Sequence, residues 1–307
     1  MRRAVFGAVP GAALALLAAV ATPAFGESLD EAAARLRYDY RQQFAGGPPG
    51  ELPFTVAASR EEGMIRSRAL VTLDGVDFER LAGVLGTLKG WCDSLLLHLN
   101  VKSCVHRDET DPRLELYLGR KHYQHPSESQ RIVFRFDVED GEGATRATLT
   151  AEDGPFGTAD YLFVATAIEV PTGAFLELRL SNREGLAGGL IDLYFSTPGR
   201  SKVGFTRVGE TLFGRPEYVR GQVGAAERNV VRYLYALRVT LELGDAPFRE
   251  RTRAWFDATE RHPRQLGELE RDSYLSIKTR EYENQVYYQH AADRGETVVV
   301  EEPQKRR

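Results

Sequence analysis

The groups in this 307-residue chain that could hold or transform a ligand are few, and apolar scaffolding carries them. Arg228 and Asn229 fall in the first turns of a helix predicted over 223–243, where Val230, Tyr233, Leu234, Leu237 and Leu241 recur at helical spacing. A guanidinium at the mouth of such a stripe could orient a carboxylate or a hydroxyl. Beside Glu227 it could equally form an ordinary solvated pair. Arg120 continues the parity of Leu114, Leu116 and Leu118, so an inward leucine row would end in an inward guanidinium. A buried guanidinium needs an anionic or carbonyl partner, from a ligand or from a neighbouring strand. Tyr161, Asp160 and His98 are the candidates for acid–base work. Read as strand over 96–106, the chain places His98 with Asn100, Lys102 and Cys104, away from the apolar Leu97, Leu99 and Val101, which makes it structural.

Other chemistries find no handle. The six histidines show no metal-binding spacing, His122 and His125 being three apart across a Pro-flanked loop, so neither a metal nor a cofactor is expected. Lys202 sits in a Gly-rich stretch without the spacing of a phosphate loop. No G-x-S-x-G elbow offers a nucleophile. Gly154-Pro155-Phe156-Gly157 could be a flap with Phe156 as a hydrophobic plug, or a tight turn that needs its glycines.

The elements that must position these groups are mostly period-two strands. Leu114, Leu116 and Leu118 alternate with Arg113, Glu115 and Tyr117. Ile132, Phe134, Phe136 and Val138 form a second row, and Leu176, Leu178 and Leu180 a third. Strands are predicted at about 63–73, 96–106, 113–122, 130–139, 144–152, 160–169 and 174–182, with a helix opening at Asp77 and Phe78. Helices are also predicted over 28–42, 248–260 and 263–285, with a short helix at 186–195 and a loop or hairpin at 199–211. The expected architecture is α+β: a curved antiparallel sheet wrapped on one long helix, with extra C-terminal helices. Leu118, Phe134, Phe156, Tyr161, Tyr233 and Leu237 would then line the space between sheet and helix, with Arg120 and Arg228 as polar anchors.

The ends and the composition bound the setting. Arg2 and Arg3 followed by the apolar stretch 12–21 and small residues up to Gly26 read as an export signal over 1–26. Next come an N-terminal helical arm and linker at 27–58, the main domain at 59–245, a helical extension at 246–290 and a disordered tail at 291–307. Without Arg2 and Arg3 the net charge goes from −4 to −6, as 38 basic residues face 44 acidic ones. Basic residues form no stripe, so nucleic acid is not expected as a partner. No segment reaches the roughly 18 apolar residues of a stable membrane span. The two cysteines, Cys92 and Cys104, are expected to pair in an oxidising compartment. Oligomeric state is not legible.

Three blocks carry a resemblance: Trp91–Cys104 (WCDSLLLHLNVKSC), Gly154–Tyr161 (GPFGTADY) and Trp255–Leu266 (WFDATERHPRQL). With the strand–helix–meander–helix order, they resemble a group of exported proteobacterial proteins of the SRPBCC/START-like, or helix-grip, class, over most of residues 60–285. The resemblance implies a helix-grip fold and a periplasmic location. The wider class mostly binds lipids, sterols, polyketides or other apolar molecules, and some members are cyclases or hydrolases. No catalytic motif of that class maps onto this chain. The expected function is a carrier for an apolar or lipid-like small molecule. A cyclase-type enzyme using the same cavity and a scaffold with a filled core are the alternatives.

Overall fold

The computed structural model describes residues 26–48, 50, 52–107, 112–185, 202–211 and 213–296. The expected export signal, apart from Gly26, and the expected helix at 186–195 lie outside the described residues. An eight-stranded antiparallel sheet runs in the order β1-β2-β8-β7-β6-β5-β4-β3. Its strands are β1 Phe54–Glu61, β2 Met64–Asp74, β3 Val101–Arg107, β4 Arg113–Leu118, β5 Gln130–Gly141, β6 Ala144–Asp153, β7 Ala159–Val170 and β8 Gly173–Arg183. Between β2 and β3 lie α2 (Phe78–Leu85) and α3 (Leu88–Leu95), and a small hairpin, β9 Arg207–Glu210 with β10 Pro216–Tyr218, precedes the long helix α4 (Gly221–Leu243). This is the expected strand–helices–meander–helix arrangement, with α5 (Phe248–Thr259) and α6 (Arg271–Asp293) added behind α4.

Local chemistry sets these boundaries. Glu62 and Gly63 both have positive φ, the geometry of a tight hairpin turn between β1 and β2. Asp77 and Thr87 accept hydrogen bonds from the backbone N–H of Arg80 and Gly90 and so start α2 and α3. A Cβ on Gly90 would lie 2.2 Å from the Val84 carbonyl oxygen, so only glycine fits where α3 crosses the end of α2. Cys92 of α3 and Cys104 of β3 form the expected disulfide, with Cα atoms 5.3 Å apart. In the chain-entropy account a loop of this length stabilises by roughly 3 kcal/mol.

The inner apolar rows read from the strands are buried as expected: Leu114, Leu116, Ile132, Leu176 and Leu178 join Leu234, Leu237 and Leu241 of α4 in one core. The N-terminal helical arm packs on the outer face: α1 (Leu29–Asp39), started by a Ser28–Glu31 capping box, lays Leu29, Ala33 and Leu36 over Leu70, Ile168 and Phe175. Phe44, in the turn after α1, meets the Phe175 ring at 5.0 Å. β1 begins at Phe54, inside the stretch read as linker.

Three predicted elements end elsewhere. Residues 96–100 are successive turns (Leu97 N–H to Ser94 O, His98 N–H to Leu95 O), so the apparent alternation there is not strand and β3 starts only at Val101. β4 stops at Leu118, where the Gly119 N–H bonds the Asn100 carbonyl, and the parity argument for Arg120 ends with it. The helix expected over 263–285 is α6 at Arg271–Asp293, because Pro263–Leu269 makes tight turns.

α6 closes the β3 edge of the sheet. Gln285 accepts from the Cys104 N–H at 2.6 Å and donates back to the Cys104 carbonyl, and Gln289 does the same at His106, at 3.0 Å in both directions. Four residues of helix and two of strand both advance about 6 Å, so the glutamines match alternate edge residues. An edge strand left open would be a template for aggregation.

Charge pins α1 to the outer face. Glu177, buried on β8, accepts two hydrogen bonds of 2.9 Å from Arg35 of α1 and one from Arg68 of β2, while Arg179 lies 3.4 Å away. Burial alone would raise the Glu177 carboxyl, but Arg35, Arg68 and Arg179 outweigh it and hold it below the usual range. Stability from this group is therefore present above the unfolded carboxylate value of about 4.3 and lost as pH falls through the lower folded value. Glu177→Gln is expected to cost about 1–3 kcal/mol in urea unfolding at pH 6, because three arginines lose a shared anion while Arg35 keeps Glu27 and Arg68 keeps Asp39. The gap from wild type should narrow on acidification; a pH-independent gap would contradict the assignment.

Candidate functional site

The antiparallel register puts the end of β4, the end of β6, the start of β7 and the end of β8 on one side of the sheet. At that end the inner wall is less tightly covered. Leu118, Tyr161 and Leu180 are only partly buried, and so is Tyr233 of α4 above them, whereas Leu114, Leu149, Leu178 and Leu237 deeper in are fully buried. Tyr161 is tied down by a 2.7 Å hydrogen bond between its hydroxyl and Thr158, and its ring meets Phe134 edge-on at 6.4 Å.

The floor of this cleft is an aromatic stack. Trp91 meets Phe163 at 5.1 Å, Phe163 meets Tyr233 at 5.1 Å, and Tyr233 lies flat on the His98 imidazole at 4.8 Å. Trp255 and Tyr274 continue it behind His98. Beyond the stack, a pocket among Leu99, Trp255, Leu266 and Tyr274 has room for about one water.

His98 does not point away from the interior, as strand parity implied. It is buried against Tyr233 because residues 96–100 turn instead of extending. Its Nδ1 accepts from the Asn100 N–H at 3.2 Å, which places the proton on Nε2, and Nε2 is buried without a partner. Burial foremost, then the charges of Arg232, Lys278, Lys121 and Lys102, hold the imidazole well below its ordinary value, so it is neutral at pH 7. Burial likewise pushes the Tyr233 and Tyr161 hydroxyls up.

Cations gather beside the stack. Arg232, one turn after Arg228, donates to Glu268 at 2.6 Å and to the Leu266 carbonyl at 3.1 Å. Lys121 donates to the other Glu268 oxygen at 2.8 Å. Lys202 bonds the carbonyls of Pro263 and Gly267. Arg228 is only 8% exposed, yet its Nε and one Nη have no hydrogen-bond partner. Burial, then the Arg232 charge, brings its guanidinium down to about 10 against the pull of Glu268 and Glu227.

Glu227 forms no solvated pair with Arg228. It is buried and accepts from the N–H groups of Phe205 and Thr206 at 2.6 and 3.0 Å and from the Thr206 hydroxyl. A second buried group, Lys102–Glu281–Lys278, has every ammonium saturated by Glu281 and backbone carbonyls, so it joins α6 to β3 without a free valence.

The structure thus brings Leu118, Tyr161 and Tyr233 to one end, with Arg228 in the charged cluster that Lys121, three residues past Leu118, also joins. Phe134 and Leu237 lie in the closed core behind them. Arg120 is exposed, past the end of β4, and is not an inward anchor; Lys121 is the cation that turns in to Glu268. Phe156 sits in the turn Pro155–Gly157, its side chain outside the described residues. Asp160 is exposed and paired with Arg183 at 2.6 Å, so it cannot serve the cleft as acid or base. Arg232, Lys121 and Glu268 were missed by sequence reasoning, and Lys202 was weighed there only as part of a phosphate loop. Only the spacing of Arg228 and Arg232, one turn apart on an apolar helix, hinted at them.

No protein-family model matches the chain, and neither does any curated protein. Among solved structures it is similar to TTHA0849 from Thermus thermophilus, with 14% identity over 43% of this chain and 84% of that one, at a TM-score of 0.31. It is similar to norcoclaurine synthase from Thalictrum flavum, with 11% identity over 49% and 89%, at 0.30. Human STARD10 is similar too, with 10% identity over 53% and 76%, at 0.31. Likeness at this level says nothing of what the chain binds.

An unpartnered buried guanidinium costs stability that an apolar side chain of similar length does not. Arg228→Met is expected to leave the ligand-free protein as stable as wild type or up to about 3 kcal/mol more stable in urea. A loss above about 2 kcal/mol would show that Arg228 has an internal partner.

Proposed function

We propose that the chain is an exported, periplasmic carrier that holds an apolar or amphipathic small molecule at the open end between the sheet and α4. The observation that carries this reading is the set of partly buried apolar side chains, Leu118, Tyr161, Leu180 and Tyr233, gathered at one end of the inner face. Burying ligand against them gains about 25 cal/mol per Å² of apolar surface before the costs of association. The basic N-terminus with its apolar stretch and the Cys92–Cys104 disulfide support export to an oxidising compartment.

The aromatic stack favours a second reading, a scaffold with a filled core. Acid–base catalysis has less to stand on: Asp160 is turned out, the Tyr161 hydroxyl is engaged, and His98 is neutral with its proton on Nε2.

The test uses the uncharged fluorophore N-phenyl-1-naphthylamine. Wild-type protein should bind it saturably, and Leu180→Arg should abolish binding while far-UV circular dichroism and thermal midpoint stay close to wild type. Absence of saturable binding by a folded wild-type protein would overturn the carrier reading in favour of the filled scaffold.

A further inference from the structure

The open end of the cleft and the cation cluster adjoin, and the charges there do not balance. Lys121 follows the cleft residue Leu118 by three positions, and Arg228 and Arg232 precede or adjoin Tyr233 on α4. Four cations, Arg228, Arg232, Lys121 and Lys202, surround Glu268, with Glu227 acting on Arg228 and Glu260 on Lys202, so the cations exceed these carboxylates by one. Both Glu268 oxygens already accept, from Arg232 and Lys121. Both Glu227 oxygens are committed to Phe205 and Thr206 as hydrogen-bond acceptors. Among the described residues no acceptor is left for the buried Nε and Nη of Arg228. A neutral carbonyl would satisfy those donors but not the excess charge. An anion does both, and charge-assisted hydrogen bonds of guanidinium to carboxylate or phosphate are about twice as strong as neutral ones.

We propose that the ligand is an anionic amphiphile whose carboxylate or phosphate head seats on Arg228, backed by Arg232, Lys121 and Lys202, with its apolar tail along Leu118, Tyr161, Leu180 and Tyr233. This rests on the carrier reading and narrows it to a charge class. Arg228 is the residue that touches the head group. Arg232 and Lys121 act by supplying positive potential while remaining bound to Glu268.

Isothermal titration calorimetry of the mature protein with oleate, dodecyl phosphate, oleyl alcohol and inorganic phosphate tests this. The expected result is that oleate or dodecyl phosphate binds about ten-fold or more tightly than oleyl alcohol, equivalent to one charge-assisted contact. Arg228→Gln should erase that preference, and Arg228→Lys should keep part of it. A salt series on wild-type protein needs no variant to fold: oleate binding should weaken with salt and oleyl alcohol binding should not. Equal binding of oleate and oleyl alcohol, or a preference untouched in Arg228→Gln, would overturn the anionic head while leaving the carrier intact. Binding of inorganic phosphate with no amphiphile bound would mark a free-anion site and sink both readings, as would no binding of any probe.

Discussion

The strands of the meander are apolar along their inner face and carry an apolar patch at Leu70, Ile168 and Phe175 on the outer one, and such a sheet persists only where these surfaces and the β3 edge are kept from water. Every other feature follows from that constraint. α4 covers the inner face with Leu234, Leu237 and Leu241. α1 covers the outer face, held by Glu177 and its arginines. α6 covers the β3 edge with Gln285 and Gln289. Among the described residues, the inner cover is incomplete at the end bearing Leu118, Tyr161, Leu180 and Tyr233, and the unbalanced cations gather there.

The cover on the two faces differs in kind. Inside, side chains interdigitate and burial of apolar area supplies the stabilisation. Outside, α1 contributes a narrow apolar stripe, and an arginine–carboxylate network fixes its position. At the edge, glutamine amides imitate the hydrogen-bonding pattern of a missing ninth strand, but through a helix that cannot itself be extended by another chain. The disulfide joins α3 to β3 and so links the inner helices to the strand that α6 seals.

Much of the inner half was legible. The alternation of Leu114–Leu118, Ile132–Val138 and Leu176–Leu180 is a local signal of period two, and the stripe along 223–243 is a local signal of helical period. The cysteine pair was legible from its compartment. What failed was parity carried past the end of an element. His98 looked outward and Arg120 inward because the alternation was extended through residues that in fact turn. The glutamine seal, the Glu177 network and the Glu268 cluster join residues far apart in the chain, 183 positions for His106 and Gln289, 142 for Arg35 and Glu177 and 36 for Arg232 and Glu268, and no spacing rule reaches them. For the site, the sequence offered Arg228, Tyr161, Tyr233 and Leu118, but not that Arg228 would be left without an acceptor.

The account's central claim is that the open end of the cleft is occupied in life. Native mass spectrometry of the mature protein isolated from a bacterial periplasm, with solvent extraction of whatever it carries, tests that most directly. The account predicts a defined adduct that extracts as an anionic amphiphile and is absent from Leu180→Arg protein prepared alongside. A protein of bare polypeptide mass, two protons light for its disulfide and carrying nothing extractable, would contradict it.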